Sequence, residues 1–492
     1  MKTSNQVNKQ PKPYDLIRFS LICLLLTLCH SNLTHANTLP DLGAPDLVEY
    51  DTETEQNLGR AFTSALHTHY KLLNDLDTND YIRELGHKLA SYTGNNRNYS
   101  FYIIDDSSIN AFAGPDGVIG IHTGLILACE TEDELAAVIA HEISHVTQNH
   151  LSRRYEYSST QGGISTIATL IAAILIGTQD PSAGMAALMG GMGYNLQQQL
   201  KNSRQHESEA DAIGITLLYN TGYNPHAMGS FFARLSKESQ LDTIKVPEIL
   251  RTHPVSENRL AEAENRAQNL KPNNKAKPQS QLNLIQKRIK LLNNSHTEYK
   301  KNHSHSHHEN QACYEKTLEH TENHNKAPDC LYTLAYTNSN PIYMSALIQS
   351  LIKQDEPISI KNLSNVNKQI ALKIELHPDN ESLPIYYSRL LRKLNKDIDA
   401  KNILINAEQY LLYKYNLYIE LSEFFAKKEQ KAEAYFNLAK AYLESGNPER
   451  SKYFLKQALA AKTNNDQNIE KQITLFKNQN SKLLNNNDKE QE

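Results

Sequence analysis

The five-residue segment His141-Glu142-Ile143-Ser144-His145 begins and ends with a histidine, and a glutamate follows the first of them. Residues four apart lie on one face of a helix, so both imidazoles could bind the same metal ion. This spacing is typical of a Zn²⁺ site in which the glutamate acts as general base. It predicts peptide hydrolysis: a zinc-bound water attacks the carbonyl while Glu142 takes the water's proton and returns it to the leaving amine.

The sequence before this motif predicts the helix that must carry it. Thr131 and Glu134 form a capping-box signature, and Leu135, Val138 and Ile139 begin an amphipathic turn that runs into the motif. Both histidines are therefore expected on one helix face, binding one zinc ion per chain.

A catalytic zinc needs a third protein ligand and an open position for water. A metzincin would have Gly at 148 and His at 151, where this chain has Gln148 and Leu151, and His150 is out of register. A thermolysin-like enzyme would have a Glu about twenty residues after His145, where Ser165 and its neighbours offer none. Both arrangements are disfavoured.

A second acidic motif lies further along the chain. Glu207 and Asp211 are one helical turn apart and could reach one site together. The two motifs together resemble the zinc metallopeptidases that include HtpX and the CAAX prenyl protease. The resemblance implies that Glu207 is the third zinc ligand and that Asp211 supports a ligand histidine or takes part in proton handling.

The first 36 residues have the pattern of a cleaved signal peptide. Four basic residues precede the apolar run Phe19 to Cys29, and Thr34-His35-Ala36 supplies small residues for cleavage. The alternative is an uncleaved membrane anchor, but about eleven apolar residues fall short of the roughly 20 that a spanning helix needs. We therefore expect an exported protein.

The remaining chain divides by composition and periodicity. A metallopeptidase domain is expected over 45–270, a polar linker with two prolines over 271–281, amphipathic helices over 282–477 and a polar tail over 478–492. Within the first domain, Ser100 to Asp105 and Gly117 to His122 are predicted as strands of a small sheet. The expected fold is mainly α: a zincin-like α+β domain followed by an all-α region.

The clearest helical pair lies between Ala434 and Ala460, with Gly446-Asn447-Pro448 as its turn. This spacing resembles a tetratricopeptide repeat, whose paired helices must stack on neighbours to bury their apolar faces. Weaker pairs are expected at 332–353 and 383–411. The alternative is an irregular helical bundle without repeats.

A signal peptide, a peptidase domain without long apolar spans and tetratricopeptide-like helices are together similar to the periplasmic beta-barrel assembly-enhancing proteases of the same family. The resemblance implies a periplasmic enzyme, either free or peripheral to the outer membrane, that degrades misassembled outer-membrane proteins and assists their assembly. Its partners would be unfolded or stalled outer-membrane proteins and, through the repeats, the assembly machinery. The alternative is mainly a chaperone or scaffold with a latent protease site. An integral-membrane processing protease is disfavoured.

The same resemblance assigns two further segments. His253, in Thr252-His253-Pro254 with Arg259 downstream, would occupy the open position of the metal and hold the enzyme latent; the alternative is a histidine that merely begins a helix. The stretch Asn110, Ala111, Phe112 and Ala113 would be an edge that aligns substrate by strand addition. Backbone pairing of this kind predicts loose sequence specificity.

The cysteines, the histidine-rich sequence and the net charge say less about function than the motifs above. Cys313 and Cys330, 17 residues apart, could form one disulfide in an oxidising compartment, and Cys129 is expected as a buried thiol. The four histidines within His303 to His308 alternate with Ser and Asn, which favours a flexible loop over a metal site. The apolar and Met-rich segment 164–193 predicts a buried helix with an adjoining loop, or a surface that takes unfolded chains. A formal net charge of −4 gives no electrostatic case for nucleic acid as a partner.

Overall fold

Seven stretches of the chain are described by the computed structural model: 52–153, 196–241, 246–270, 280–293, 309–358, 360–462 and 467–485. The predicted signal peptide, the segment 164–193 and the histidine-rich segment 303–308 lie outside them. Of the predicted linker, only residues 280 and 281 are described.

A three-stranded sheet lies at the start of the first domain, after helices α1 (Thr52–His69) and α2 (Leu76–Ala90). Its strands are β1 (Ser100–Ile104), β2 (Ala111–Ala113) and β3 (Val118–His122). The central strand β3 runs parallel to β1 and antiparallel to β2. Every residue of β3 is buried, which fits its nearly continuous apolar sequence. Strand β2 was not predicted, and it forms one edge of the sheet.

Six helices complete the first domain: α3 (Thr123–Ala128), α4 (Glu132–Thr147), α5 (Leu196–Thr221), α6 (Ala227–Leu241), α7 (Glu248–Thr252) and α8 (Glu257–Gln268). Helix α4 begins at the predicted capping signal, where the Thr131 side chain accepts the backbone N–H of Glu134. It contacts α2, α5, α6 and β2, and nearly all of its residues are buried. The helix that carries both motif histidines is therefore the centre of this domain's core.

The rest of the described chain is entirely helical. Its helices are α9 (Leu282–Asn293), α10 (Glu309–Glu322), α11 (Asp329–Thr337), α12 (Pro341–Lys353), α13 (Ile360–Leu376), α14 (Ser382–Lys393), α15 (Asp397–Ala407), α16 (Tyr415–Lys427), α17 (Lys431–Glu444), α18 (Pro448–Ala461), α19 (Gln467–Gln479) and α20 (Ser481–Asn485). Helices therefore continue into the segment predicted as a polar tail. The expected fold class, a mainly α protein with a small sheet followed by an all-helical region, is confirmed. No helix in the described stretches is long and apolar enough to cross a bilayer.

The turn between α17 and α18 also contacts the first domain. Gly446 has φ 73°, in the left-handed region that favours glycine. A Cβ atom at this position would lie 2.2 Å from the carbonyl oxygen of Arg60 in α1. Glycine is therefore required here both by the turn and by the close approach of the two backbones.

The two cysteines of the helical region form a disulfide. Cys313 in α10 and Cys330 in α11 are joined with a Cα–Cα distance of 6.1 Å, and the bond ties these two helices together. Cys129, after α3, is a buried free thiol, and burial raises its pKa.

A buried ionic cluster joins the two parts of the chain, which lie within one compact unit, Glu49–Glu492. Arg288 of α9 is 2.8 Å from the carboxylate of Asp75, just before α2, and 2.9 Å from that of Asp77. Gln349 of α12 donates to Asp77 and accepts from Arg288. One guanidinium thus pairs with both buried carboxylates, and its single positive charge balances one of the two negative charges.

We expect Arg288→Met to lower the free energy of unfolding by about 3–5 kcal/mol, because both buried carboxylates would lose the arginine that pairs with them. Urea denaturation followed by circular dichroism measures the change. The control is the triple variant Arg288→Met, Asp75→Asn, Asp77→Asn, which leaves no buried charge and should recover part of the loss. An unchanged unfolding midpoint in the single variant would contradict this account.

Candidate metal centre

Four side chains from three parts of the fold converge on one point. His141 and His145 come from α4, Glu207 from α5, and His253 from the residue after α7. One nitrogen or oxygen atom of each lies within 4.8 Å of the corresponding atoms of the others. We call these four residues the metal-binding group.

The distances within this group fit one tetrahedrally coordinated metal ion. The two Nε2 atoms of His141 and His145 are 3.0 Å apart, and Nδ1 of His253 lies 3.2 Å from the first of them. An oxygen of Glu207 is 3.3 Å from His141 Nε2 and 3.1 Å from His253 Nδ1. Ligand atoms about 2.0–2.1 Å from zinc in tetrahedral geometry are about 3.4 Å from one another. A shared cation would also explain why three ring nitrogens face one another so closely.

Close packing of α5 against α4 brings the acidic side chains to the histidines. A Cβ atom on Gly214 would lie 3.4 Å from the backbone nitrogen of His141 and 2.6 Å from Cε of Met228. Glycine therefore lets the two helices approach at the level of the first ligand. One and two turns earlier on the same helix, Asp211 and Glu207 point at α4.

Asp211 lies behind His141, on the side away from the other ligands. Its Oδ1 is 3.0 Å from Nδ1 of His141, and Arg259 of α8 donates to both of its oxygens at 2.8 Å. The same guanidinium lies 3.1 Å from Glu207 and donates to the carbonyl of Pro254. Arg259 thus connects two acids of α5 to the loop that carries His253. In the sequence it was only part of a family motif, with no role assigned.

The acidic surroundings favour a cation in this centre. Burial lowers the pKa of His141, but Asp211 and Glu207 together raise it to about 10. Burial raises the pKa of Glu207, but His253, His145 and His141 bring it well below its usual value. The carboxylate is therefore ionised in the folded protein.

Glu142 is next to the metal-binding group without belonging to it. Its side chain is 1% exposed, and its Oε1 lies 3.4 Å from Nε2 of His253. Burial raises its pKa, opposed by the charges of His253 and His141 and by the backbone N–H of Ala113. A buried carboxylate at this position suits a group that must accept a proton.

Strand β2 contains three of the four residues predicted to align substrate. Ala111, Phe112 and Ala113 pair with Ile121, Gly120 and Ile119 of β3, and the backbone of Asn110 continues this edge by accepting the N–H of His122. No other strand in the described part of the chain pairs with β2. The strand also contacts α4, which places this edge of the sheet beside the helix that carries Glu142.

Comparisons with known proteins agree with this geometry. The model of peptidase family M48 matches residues 76–267, which include all four members of the metal-binding group. The chain is 37% identical over 238 residues to the beta-barrel assembly-enhancing protease of Escherichia coli (strain K12), covering 48% of each chain. It is 35% identical over 245 residues to the protein of the same name from Yersinia pestis, covering 50% of each.

A third relative, the metalloprotease LoiP of Escherichia coli (strain K12), is 31% identical over 176 residues, which are 35% of this chain and 65% of that protein. The chain thus spans about half the length of the two beta-barrel assembly-enhancing proteases. The resemblance expected from the paired motifs is confirmed. Residues 76–267 are therefore similar to peptidase family M48.

Proposed function

We propose that the chain is a zinc-dependent endopeptidase in which His141, His145 and Glu207 hold the metal and Glu142 is the general base. The observation that carries this proposal is the convergence of the metal-binding group beside the buried carboxylate of Glu142. The M48 match supports a metallopeptidase, and the His-rich donor set with one carboxylate is typical of catalytic zinc.

Zinc in this centre would polarise a peptide carbonyl and lower the pKa of a bound water to about 7. Glu142 would take the proton of the attacking water and return it to the leaving amine. Asp211, behind His141 and paired with Arg259, would hold that imidazole with its other nitrogen towards the metal. The edge strand β2 would hold a substrate segment in extended form by strand addition.

We further propose a role in the periplasm, on stalled or misassembled outer-membrane proteins. The names of the relatives support a role in beta-barrel assembly, and the helical region would then dock on the assembly machinery as a set of tetratricopeptide-like repeats. A second candidate is a chaperone or scaffold with a latent protease site. It is favoured by a specific contact: His253 lies against His141 and Glu207, where it would fill the position that a catalytic zinc keeps open.

The first test measures zinc content and cleavage of unfolded casein for the wild-type protein and for Glu207→Ala. We expect about one zinc per chain in the wild type, and weaker zinc binding with loss of cleavage in the variant, because the substitution removes the one carboxylate of the metal-binding group. The matched control is Glu264→Ala, which removes an exposed acid that pairs with His226. Wild-type protein without zinc, or cleavage unaffected by Glu207→Ala, would refute the proposal.

A further inference from the structure

A second polar network lies behind the other motif histidine, His145. Helix α4 ends at Thr147, and Asn149 then adopts a left-handed conformation with φ 55°. This turn brings His150 back against the helix, with its Nδ1 2.8 Å from Nδ1 of His145. His150 is 3% exposed. The residue whose spacing is wrong for a metzincin ligand thus contacts a member of the metal-binding group from behind.

The network continues from His150 to the protein surface. Nε2 of His150 is 3.1 Å from Oε2 of Glu209 on α5. The same oxygen accepts a hydrogen bond from Arg153 at 2.6 Å, and the other carboxylate oxygen accepts one from Gln205. Both ring nitrogens of His150 and both carboxylate oxygens of Glu209 therefore have a hydrogen-bond partner.

The positions of the hydrogen atoms follow from the metal. If Nε2 of His145 faces zinc, it carries no hydrogen, so Nδ1 must carry one and donate it to His150. Nδ1 of His150 is then an acceptor, and its hydrogen lies on Nε2, where it is donated to Glu209. One arrangement of hydrogens satisfies all of these groups, and it is the arrangement that leaves His145 ready to bind metal.

We propose that His150, Glu209 and Arg153 form a His145 support network that fixes the tautomer and ring orientation of this ligand and so strengthens metal binding. The proposal rests on the proposed function, because it assigns these residues to the same metal. His145 would then be supported much as His141 is. Nδ1 of His141 contacts Asp211, which pairs with Arg259. Nδ1 of His145 contacts His150, which reaches the ion pair of Glu209 with Arg153. These are positioning residues, because they act on the metal only through His145.

A merely structural role for His150 makes a different prediction. Its ring stacks on that of His206, with centroids 4.3 Å apart and planes 13° from parallel. His150→Phe keeps an aromatic ring of similar size but removes the acceptor for His145. His150→Asn removes the ring but retains an amide oxygen close to the position of Nδ1. The two variants therefore separate packing from hydrogen bonding.

The test measures zinc affinity of the full chain by chelator competition, with the absorption spectrum of the Co²⁺-substituted protein as a second readout. We expect His150→Phe to weaken zinc binding about 10- to 100-fold and to change the Co²⁺ spectrum, with His150→Asn closer to the wild type. Equal affinities in all three proteins, or a larger loss in His150→Asn than in His150→Phe, would overturn the proposal.

Glu209→Ala covers the case in which both His150 variants fail to fold, because Glu209 is partly exposed. We expect this variant to weaken zinc binding several-fold, through loss of the acceptor for His150. Wild-type zinc affinity in Glu209→Ala would overturn the support network even though the endopeptidase proposal stood. Absence of zinc from the wild-type protein would instead refute the proposed function itself.

Discussion

Glu142→Gln is expected to abolish measurable peptide cleavage while leaving zinc bound. The carboxylate lies beside the metal-binding group but is not one of its four members, so a glutamine of nearly the same shape should not disturb the ligands. An amide cannot accept the proton of the attacking water, and loss of a general base lowers kcat by about 10²- to 10⁴-fold. Casein cleavage and zinc content of the same preparations test both parts.

The matched control is Glu130→Gln, an exposed glutamate just before α4 whose ion pair with Arg234 is long, at 3.8 Å. It should cleave as the wild type does. If Glu142→Gln retained activity, another group would be the base. If it lost zinc, Glu142 would be needed to build the centre rather than to carry out chemistry.

The same variant separates the two proposed functions in cells. Protein carrying Glu142→Gln should fail to support outer-membrane protein assembly if proteolysis is the main activity. Full support by this variant would favour the chaperone or scaffold, because the helical region and its buried contacts with the first domain remain intact.

Local sequence patterns predicted the parts of the fold that depend on neighbouring residues. The helix carrying the motif histidines begins at its predicted cap, Thr131, because capping involves residues three apart. Strands β1 and β3 lie within one residue of the predicted bounds, since both are short apolar runs between turn signals. The helical pair around Gly446 was equally visible because glycine is required by that turn.

Strand β2 could not be predicted in the same way. Its three residues, Ala111, Phe112 and Ala113, have no clear alternation, and alanine is not a strong strand former. Their extended conformation depends on pairing with β3. Only the family resemblance marked this stretch, and it did so as an edge for substrate rather than as a strand of the sheet.

The charged residues that complete the fold and the site are separated by long stretches of sequence. Arg259 reaches Asp211 across 48 residues, and Arg288 reaches Asp75 across 213. The sequence does not distinguish an arginine that pairs with an acid in the core from one exposed to water, because that pairing depends on residues distant in the chain. His150 is similar, since spacing could exclude it as a ligand but gave no sign that it contacts one.

His253 makes two contacts that would oppose catalysis at the same time. Its Nδ1 joins the other three members of the metal-binding group, and its Nε2 lies 3.4 Å from Oε1 of Glu142. With Nδ1 facing zinc, Nε2 must carry the hydrogen and point it at the general base. One imidazole would thus occupy the open metal position and pair with the carboxylate that should activate water. Pro254 follows directly, and Arg259 donates a hydrogen bond to its carbonyl oxygen, which ties the loop that carries His253 to α8.

We therefore expect His253→Ala to raise casein cleavage, by up to about 100-fold if the wild-type site is open in about 1% of molecules. Zinc should remain bound, because His141, His145 and Glu207 complete the usual three-ligand set.

The control is His226→Ala, which removes an exposed histidine between α5 and α6 that pairs with Glu264. Loss of cleavage with zinc retained would show instead that His253 assists the reaction, and loss of zinc would show that it is a required ligand. An increase in His253→Ala that disappears when Glu142→Gln is added would establish both roles, because the released activity would depend on the base that His253 had covered.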